Sequence, residues 1–261
     1  MDKRTHLDRL ASGPEERLLL GRIWDKYEQC RRRSIPAGTG FLSPAEQAAA
    51  QRLLNSLSVA DGFAFWGGWE GAQRRQLWFL PDWMTEPEAD AVCLIRSDLY
   101  EADQLTHRDV LGSLMGLGLT RDAVGDILVA PKRLDVLVTA PAAEFLLGQW
   151  NAAGRIRLHP RRAPLEELEP PEERVKRIRD TVSSLRLDSV LAVGFSLSRG
   201  KAAEAVSARR VQLNWTDCLK PDRPVAQGDT LTIRGLGKCV LEEVGQETRK
   251  GRLFVTIKRY L

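Results

Sequence analysis

The chain has 261 residues, 43% hydrophobic and 28% charged, with a formal net charge of +4. Seven Trp and the absence of low-complexity tracts exclude a disordered chain, and the length suits two or three small domains. No apolar run approaches the ~20 residues that cross a bilayer. The charged opening up to Arg9 has no apolar signal core, and Asp2 and Asp8 do not suit a transit peptide, so a cytoplasmic protein is expected.

In chain order, residues 15–33 place Leu18, Leu19, Ile23, Trp24 and Tyr27 at helical spacing, ending in Arg31-Arg32-Arg33. That basic run suits the negative end of a helix dipole. Ser43-Pro44-Ala45-Glu46 is a capping box that opens a helix to about residue 57. Strands at 63–66 and 76–80 follow, joined by the Gly-rich turn at 67–71. Trp66, Trp69, Trp78 and Trp83 fall in this region, suited to packing a small sheet or to stacking on bases. Residues 1–83 are thus expected to form an N-terminal helical and hairpin subdomain.

Residues 84–160 read as β-α-β-β-α-β, with strands at 91–96, 127–130, 134–139 and 155–159 and helices at 106–115 and 142–150. This is the ferredoxin-like order, shared with the RNA-recognition fold, but 134–139 lacks the aromatics that stack bases there. Residues 161–173, with Pro164, Pro170, Pro171 and five Glu, are expected to be an exposed linker. Residues 174–183 alternate basic and apolar side chains and fit either a strand or a short helix.

Charge is distributed unevenly. From residue 171 onward there are 18 Lys/Arg against 11 Asp/Glu, and before it 21 against 24. A basic C-terminal third on a mildly acidic remainder is the electrostatic footprint of a module that meets phosphate. Cys30, Cys93, Cys218 and Cys239 form no CxxC pair, and His6, His107 and His159 lie near none of them in sequence, so reduced thiols are expected, with no metal site and no cofactor.

The densest pattern lies in 186–229. Arg186-Leu187-Asp188 opens a short helix closed at Gly194. Ser198 caps a second helix from Arg199, with Ala202, Ala205 and Val206 inward. Val211 and Leu213 lead a strand to a turn at Asn214, and Lys220-Pro221 and Val225-Ala226-Gln227-Gly228-Asp229 return the chain to a strand at 230–233. This closely resembles the S4 (alpha-L) RNA-binding domain, with an Arg-Leu-Asp, Ser-Arg, Lys-Pro and Gly-Asp series in the same order. Two positions depart from it: Arg209 stands where a glycine usually ends the second helix, and Asn214-Trp215 replaces an Asn-Gly turn.

Arg199 and Lys201 begin a helix whose free N–H groups favour an anion, Arg209 and Arg210 leave its far end, and Arg186 begins the neighbouring helix. With Ser198, Asn214 and Lys220, which the resemblance adds, they are the candidate RNA-binding residues. A groove of this kind reads RNA shape and phosphate rather than sequence.

The segments Leu105-Thr106-His107-Arg108-Asp109-Val110-Leu111-Gly112, Gly116-Leu117-Gly118 and Gly125-Asp126-Ile127-Leu128 resemble YlmH-type proteins. So does the C-terminal stretch from Ile233-Arg234-Gly235 to Ile257-Lys258-Arg259-Tyr260. The resemblance implies a β extension on the S4 domain (174–261) and binding to ribosomal RNA, with tRNA as a further partner, at the large ribosomal subunit in the rescue of stalled nascent chains. It also implies that the ferredoxin-like domain is a second contact. A cyanobacterial and plastid branch of similar length is named photosystem II S4 domain protein.

No catalytic residues are expected. His107-Arg108-Asp109 mimics the kinase catalytic loop, but Leu114 stands where that loop needs Asn. Gly112, Gly116 and Gly118 do not form a dinucleotide fingerprint, and neither a Gly-x-Ser-x-Gly elbow nor a pseudouridine-synthase aspartate motif is found. The alternative to RNA binding is a protein-binding assembly factor in cell division or photosystem II biogenesis, with the four Trp as its interface.

Overall fold

Ser43 Oγ accepts the N–H of Glu46, and the Glu46 carboxylate accepts the N–H of Ser43, so the capping box read from the sequence is formed. The computed structural model describes residues 2–100, 104–170 and 174–260. The chain divides into two units, Met1–Pro171 and Glu172–Leu261.

The first unit begins with α1 (Lys3–Leu10), α2 (Pro14–Arg33), β1 (Ala37–Leu42), α3 (Pro44–Ser56), β2 (Phe63–Trp66) and β3 (Arg75–Phe79). The strands form an antiparallel sheet in the order β1-β3-β2, packed on α2 and α3 through Leu20, Ile23, Leu53, Leu54, Leu77 and Phe79. Strand β1 carries two glycines, which hides it in the sequence. Gly38 is required there because a Cβ would lie 2.6 Å from the Trp78 ring.

The unit continues with β4 (Cys93–Asp98), α4 (His107–Gly116), β5 (Val124–Ala130), β6 (Arg133–Val138), α5 (Ala140–Gln149), β7 (Ala152–Ala153), β8 (Ile156–Arg157) and β9 (Arg161–Ala163). The sheet order β5-β6-β4-β9, antiparallel throughout, is the ferredoxin-like arrangement. Its fourth strand is not at 155–159. Gly154, at φ +58°, folds β8 back on β7 in a local hairpin, and Pro160 separates it from β9, which pairs Leu94↔Ala163 and Arg96↔Arg161.

The expected linker is therefore structured at least to residue 170. Leu165 and Leu168 pack on the sheet, and two of the five glutamates that suggested solvent exposure are paired: Glu167 with Arg96, and Glu169 with Arg133. Residues 171–173 lie outside the described residues.

One face of this sheet carries Cys93, Ile95, Val136 and Val138 against Val110, Leu114, Leu146 and Trp150. The other carries Val92, Leu94 and Leu137, covered by Phe41, Trp66, Trp69, Leu165 and Leu168. On the same central strands, buried Arg96 forks onto buried Asp135 at 2.7 and 2.9 Å. The face that an RNA-recognition fold offers to bases is thus filled. Of the four clustered Trp, Trp66 and Trp69 belong to this packing and Trp78 is partly buried over Gly38. Only Trp83 is well exposed, at 68%.

Arg74 joins the two sheets, donating to the carbonyls of Val124 (2.9 Å), Phe41 (2.9 Å) and Arg121 (3.0 Å). The Asp126 carboxylate accepts the N–H groups of Gln73 and Arg74 beside it.

The second unit holds β10 (Val175–Val182), α6 (Leu187–Gly194), α7 (Arg199–Ser207), β11 (Val211–Leu213), β12 (Thr216–Asp217), β13 (Thr230–Ile233), β14 (Gly237–Glu247) and β15 (Leu253–Tyr260). Residues 174–183, open between strand and helix in the sequence, form a strand paired to β15 from Val175↔Tyr260 to Val182↔Leu253. The antiparallel sheet β10-β15-β14-β13-β11-β12 packs on α6 and α7 through Leu187, Val190, Leu191, Ala202, Val206, Leu231, Leu241 and Ile257. Gly194 lets α6 approach closely, because a Cβ there would lie 2.9 Å from Cys239 Sγ.

Candidate RNA interface

Leu187 N–H donates to Arg223 O and Asp188 N–H to Pro221 O, both at 2.9 Å, so the loop after β12 caps the start of α6. This loop holds Lys220 and Arg223 next to Arg186, the residue before the helix, which bridges to Pro224. Asp188, 4% exposed, organises the cluster. Its carboxylate accepts from Arg186 Nε (3.2 Å) and Nη2 (3.1 Å), from Ser189 Oγ (3.2 Å) and from Arg199 Nε (3.1 Å). Burial opposes its ionisation, but hydrogen bonds and charge from Arg186 and Arg199 outweigh it and hold the carboxyl below its usual value. The hydrogen bond to Asp188 in turn raises the Arg186 pKa.

The two arginine side chains stay 38% and 53% exposed. Arg199 gives only its Nε to Asp188 among the described residues, leaving both Nη groups for an external acceptor. A buried carboxylate thus fixes two cations at their inner ends and aims their outer ends at solvent. The sequence placed Asp188 in the motif but not among the functional residues, and it did not single out Arg223. The signals for Asp188 are its place in the Arg-Leu-Asp series and an acidic residue in the first turn of a mostly apolar helix.

The remaining candidates fall into different places. Ser198 Oγ accepts the N–H of Lys201 at 3.3 Å and caps α7. Lys201 is exposed in the first turn of that helix. Arg209 and Arg210 stand at its opposite end, nine residues or about 13 Å away. Arg209 adopts φ +56°, with Arg209 N–H on Val206 O and Arg210 N–H on Ala205 O, so an arginine fills the left-handed helix-ending position that favours glycine. The Arg210 side chain turns to Arg234 O at 2.9 Å.

Asn214 is also engaged within the fold: its amide donates to Asp229 and its carbonyl accepts Thr230 N–H. Asn214 and Trp215, at φ +48° and +60°, make the tight left-handed turn usually built with Asn-Gly. The eight candidates are therefore not one cluster. Arg186, Arg199, Lys201 and Lys220 surround the Asp188 end of α6 and α7, Arg209 and Arg210 mark the far end of α7, and Ser198 and Asn214 hold local structure.

Asp109, suspected of mimicking a catalytic aspartate, accepts from Thr106 N–H and Oγ1 and caps α4. Among the described residues no group of His, Cys, Asp and Glu could hold a metal ion, and no helix is long and apolar enough to cross a membrane.

Residues 101–167 match the family described as the putative RNA-binding domain in YlmH, and residues 185–231 match the S4 domain. The first match extends past β9, in keeping with 161–163 being a strand of the sheet and Leu165 packing on it. The chain is 36% identical to the ribosome-associated protein quality control protein P2 of Bacillus subtilis, over 85% of this chain and 86% of that protein. The structure of a cell division protein, ylmH from Streptococcus pneumoniae, superposes with a TM-score of 0.50 at 20% identity. That match covers 61% of this chain and 98% of the other, a likeness of fold.

Proposed function

The chain belongs to the YlmH family of S4-domain RNA-binding proteins, and from that premise we propose that it binds structured ribosomal RNA, with tRNA beside it, on the large ribosomal subunit. In this reading it acts in the rescue of stalled nascent chains and holds RNA without transforming it. The observation that carries the reading is the Asp188 carboxylate gripping Arg186 and Arg199 while their outer ends face solvent. Two guanidinium groups pre-set in this way meet phosphate oxygens with little further loss of side-chain freedom. Lys201 and Lys220 extend the same positive face, and the relative's name, ribosome-associated protein quality control protein P2, agrees with a ribosomal site of action.

The test is sedimentation of the full chain with cell extract, alongside Arg199→Glu/Lys201→Glu. Co-migration with the large subunit that the variant loses supports the reading. A wild type that stays at the top of the gradient, or a complex that survives RNase, overturns it in favour of a protein-binding assembly factor.

A further inference from the structure

Residues 155–162 read Arg-Ile-Arg-Leu-His-Pro-Arg-Arg, five basic or titratable side chains with no acidic residue among them. The alternation sorts them by face. Ala153 and Leu158 are buried in the core of the ferredoxin-like domain, and Ile156 packs against it. Arg155, Arg157 and His159 point outward and are exposed. The backbone is held firmly: Leu158 N–H donates to Asn151 O at 2.8 Å, and His159 N–H donates to the oxygen of buried Ser97 at 3.0 Å.

Charged side chains elsewhere in this unit are commonly paired, as Arg17 is with Asp8, Arg52 with Glu16 and Arg133 with Glu169. Among the described residues, no side-chain hydrogen bond or ion pair engages Arg155, Arg157 or His159. Of their neighbours, Arg161 has a long contact to Asp98 at 3.7 Å, whereas Arg162 donates to Cys93 Sγ at 3.1 Å and reaches Glu144 at 3.4 Å. Beside the hairpin, a depression of about 390 Å³ is lined by Arg155, Arg157, His159, Asp98 and Tyr100, whose ring is 80% exposed.

We propose that the β7–β8 hairpin, through Arg155, Arg157 and His159, is an RNA phosphate-backbone contact separate from the S4 face, with Tyr100 as a stacking surface for an unpaired base. Rigid backbone, outward cations without a side-chain partner among the described residues and an adjacent exposed ring are what an RNA strand requires, and Asp98 is the one acidic side chain among the described residues that line the depression. The covered face of the sheet also removes the usual docking surface of such a fold, and the hairpin lies outside that sheet. The proposal shares with the S4 reading the premise that the chain binds RNA, but it rests on different residues.

The experiment measures binding of the full chain to a fluorescein-labelled RNA stem-loop with a single-stranded tail, as a function of salt. Arg155→Gln/Arg157→Gln should lower the slope of log K against log salt by about 1.5, since each lost phosphate contact removes roughly 0.7–0.9. Arg4→Gln/Arg9→Gln, an equal charge change on exposed α1, should leave the slope unchanged. With 4-thiouridine in the tail, cross-links should map to Tyr100, and thermal melts of all variants should match the wild type.

A hairpin variant whose slope equals that of the α1 control overturns the proposal. So does a variant that keeps its RNA slope but loses binding to polyglutamate, which would make the hairpin a protein contact. Loss of slope in the hairpin variant with none in Arg199→Glu/Lys201→Glu overturns the S4 reading and leaves this one standing.

Discussion

Arg199 Nε lies 3.1 Å from Asp188 Oδ2, so the first residue of α7 is gripped by a carboxylate in the first turn of α6. The contact ties two helices and orients a cation at once. That dual role separates two expectations for Asp188→Asn. Removing a negative charge should tighten RNA binding if only net charge matters, and should weaken it if positioning matters. We expect weaker binding, by about threefold to tenfold, with about 1–3 kcal/mol lost from stability because the bonds are charge-assisted. Fluorescence anisotropy and urea unfolding of the same preparation check both.

The same carboxylate sets a pH dependence. Its folded pKa is depressed, so its stabilisation is fully present above the ordinary carboxylate value of about 3.9 and is lost as pH falls through the folded value. The stability gap between wild type and Asp188→Asn should be widest near neutrality and close in strong acid. A gap that stays constant from pH 7 to pH 2 would remove Asp188 from the account.

Arg209 occupies the left-handed position that ends α7, at φ +56°. Arg209→Gly should relieve that conformation and stabilise the second unit by up to about 1 kcal/mol, part of the gain being offset by glycine's entropy in the unfolded chain. If Arg209 also contacts RNA, the variant becomes more stable and binds less well. Thermal melting and binding together separate the two effects.

Arg74 satisfies three backbone carbonyls at the junction of the two sheets, and burial lowers its pKa to about 10. Arg74→Ala should cost about 1–3 kcal/mol, because Phe41 O loses this donor, while Val124 O keeps Arg121 Nη1 and Arg121 O keeps the Val124 N–H. Tryptophan fluorescence during urea unfolding reports this directly, since six of the seven Trp lie before residue 171.

Cys239 is fully buried and its thiol is pushed up to about 12 by desolvation, whereas Cys218 is partly exposed. Native protein treated with a thiol reagent at pH 8 should therefore label Cys218 and spare Cys239 until urea unfolds the second unit. Equal labelling rates would contradict the packing of α6 on β14.

Much of this architecture was legible from local chemistry. The capping box at Ser43, the cap at Ser198, the helix read at 15–33, the short helix closed at Gly194 and the ferredoxin-like order all follow from side-chain periodicity and turn residues, which act over a few positions. Strand β1 is not legible in the sequence because Gly38 and Gly40 carry no strand signal, and Gly38 is explained only by the Trp78 ring lying over it. The alternation at 155–159 is real and reads as the fourth strand. Alternation tells which side chains share a face and not which strand they pair with.

By itself the sequence determined the S4 motif, the family and the positive charge of the C-terminal third, because each is carried by residue identity and spacing. Tertiary structure alone decided which charges are spent. It paired Glu167 and Glu169 of the expected linker with Arg96 and Arg133, buried Asp188 under two arginines and closed the RNA-recognition face of the middle sheet with Phe41, Trp66 and Trp69. Whether a charge is neutralised or left for a ligand depends on groups distant in sequence, and only the folded chain brings those together.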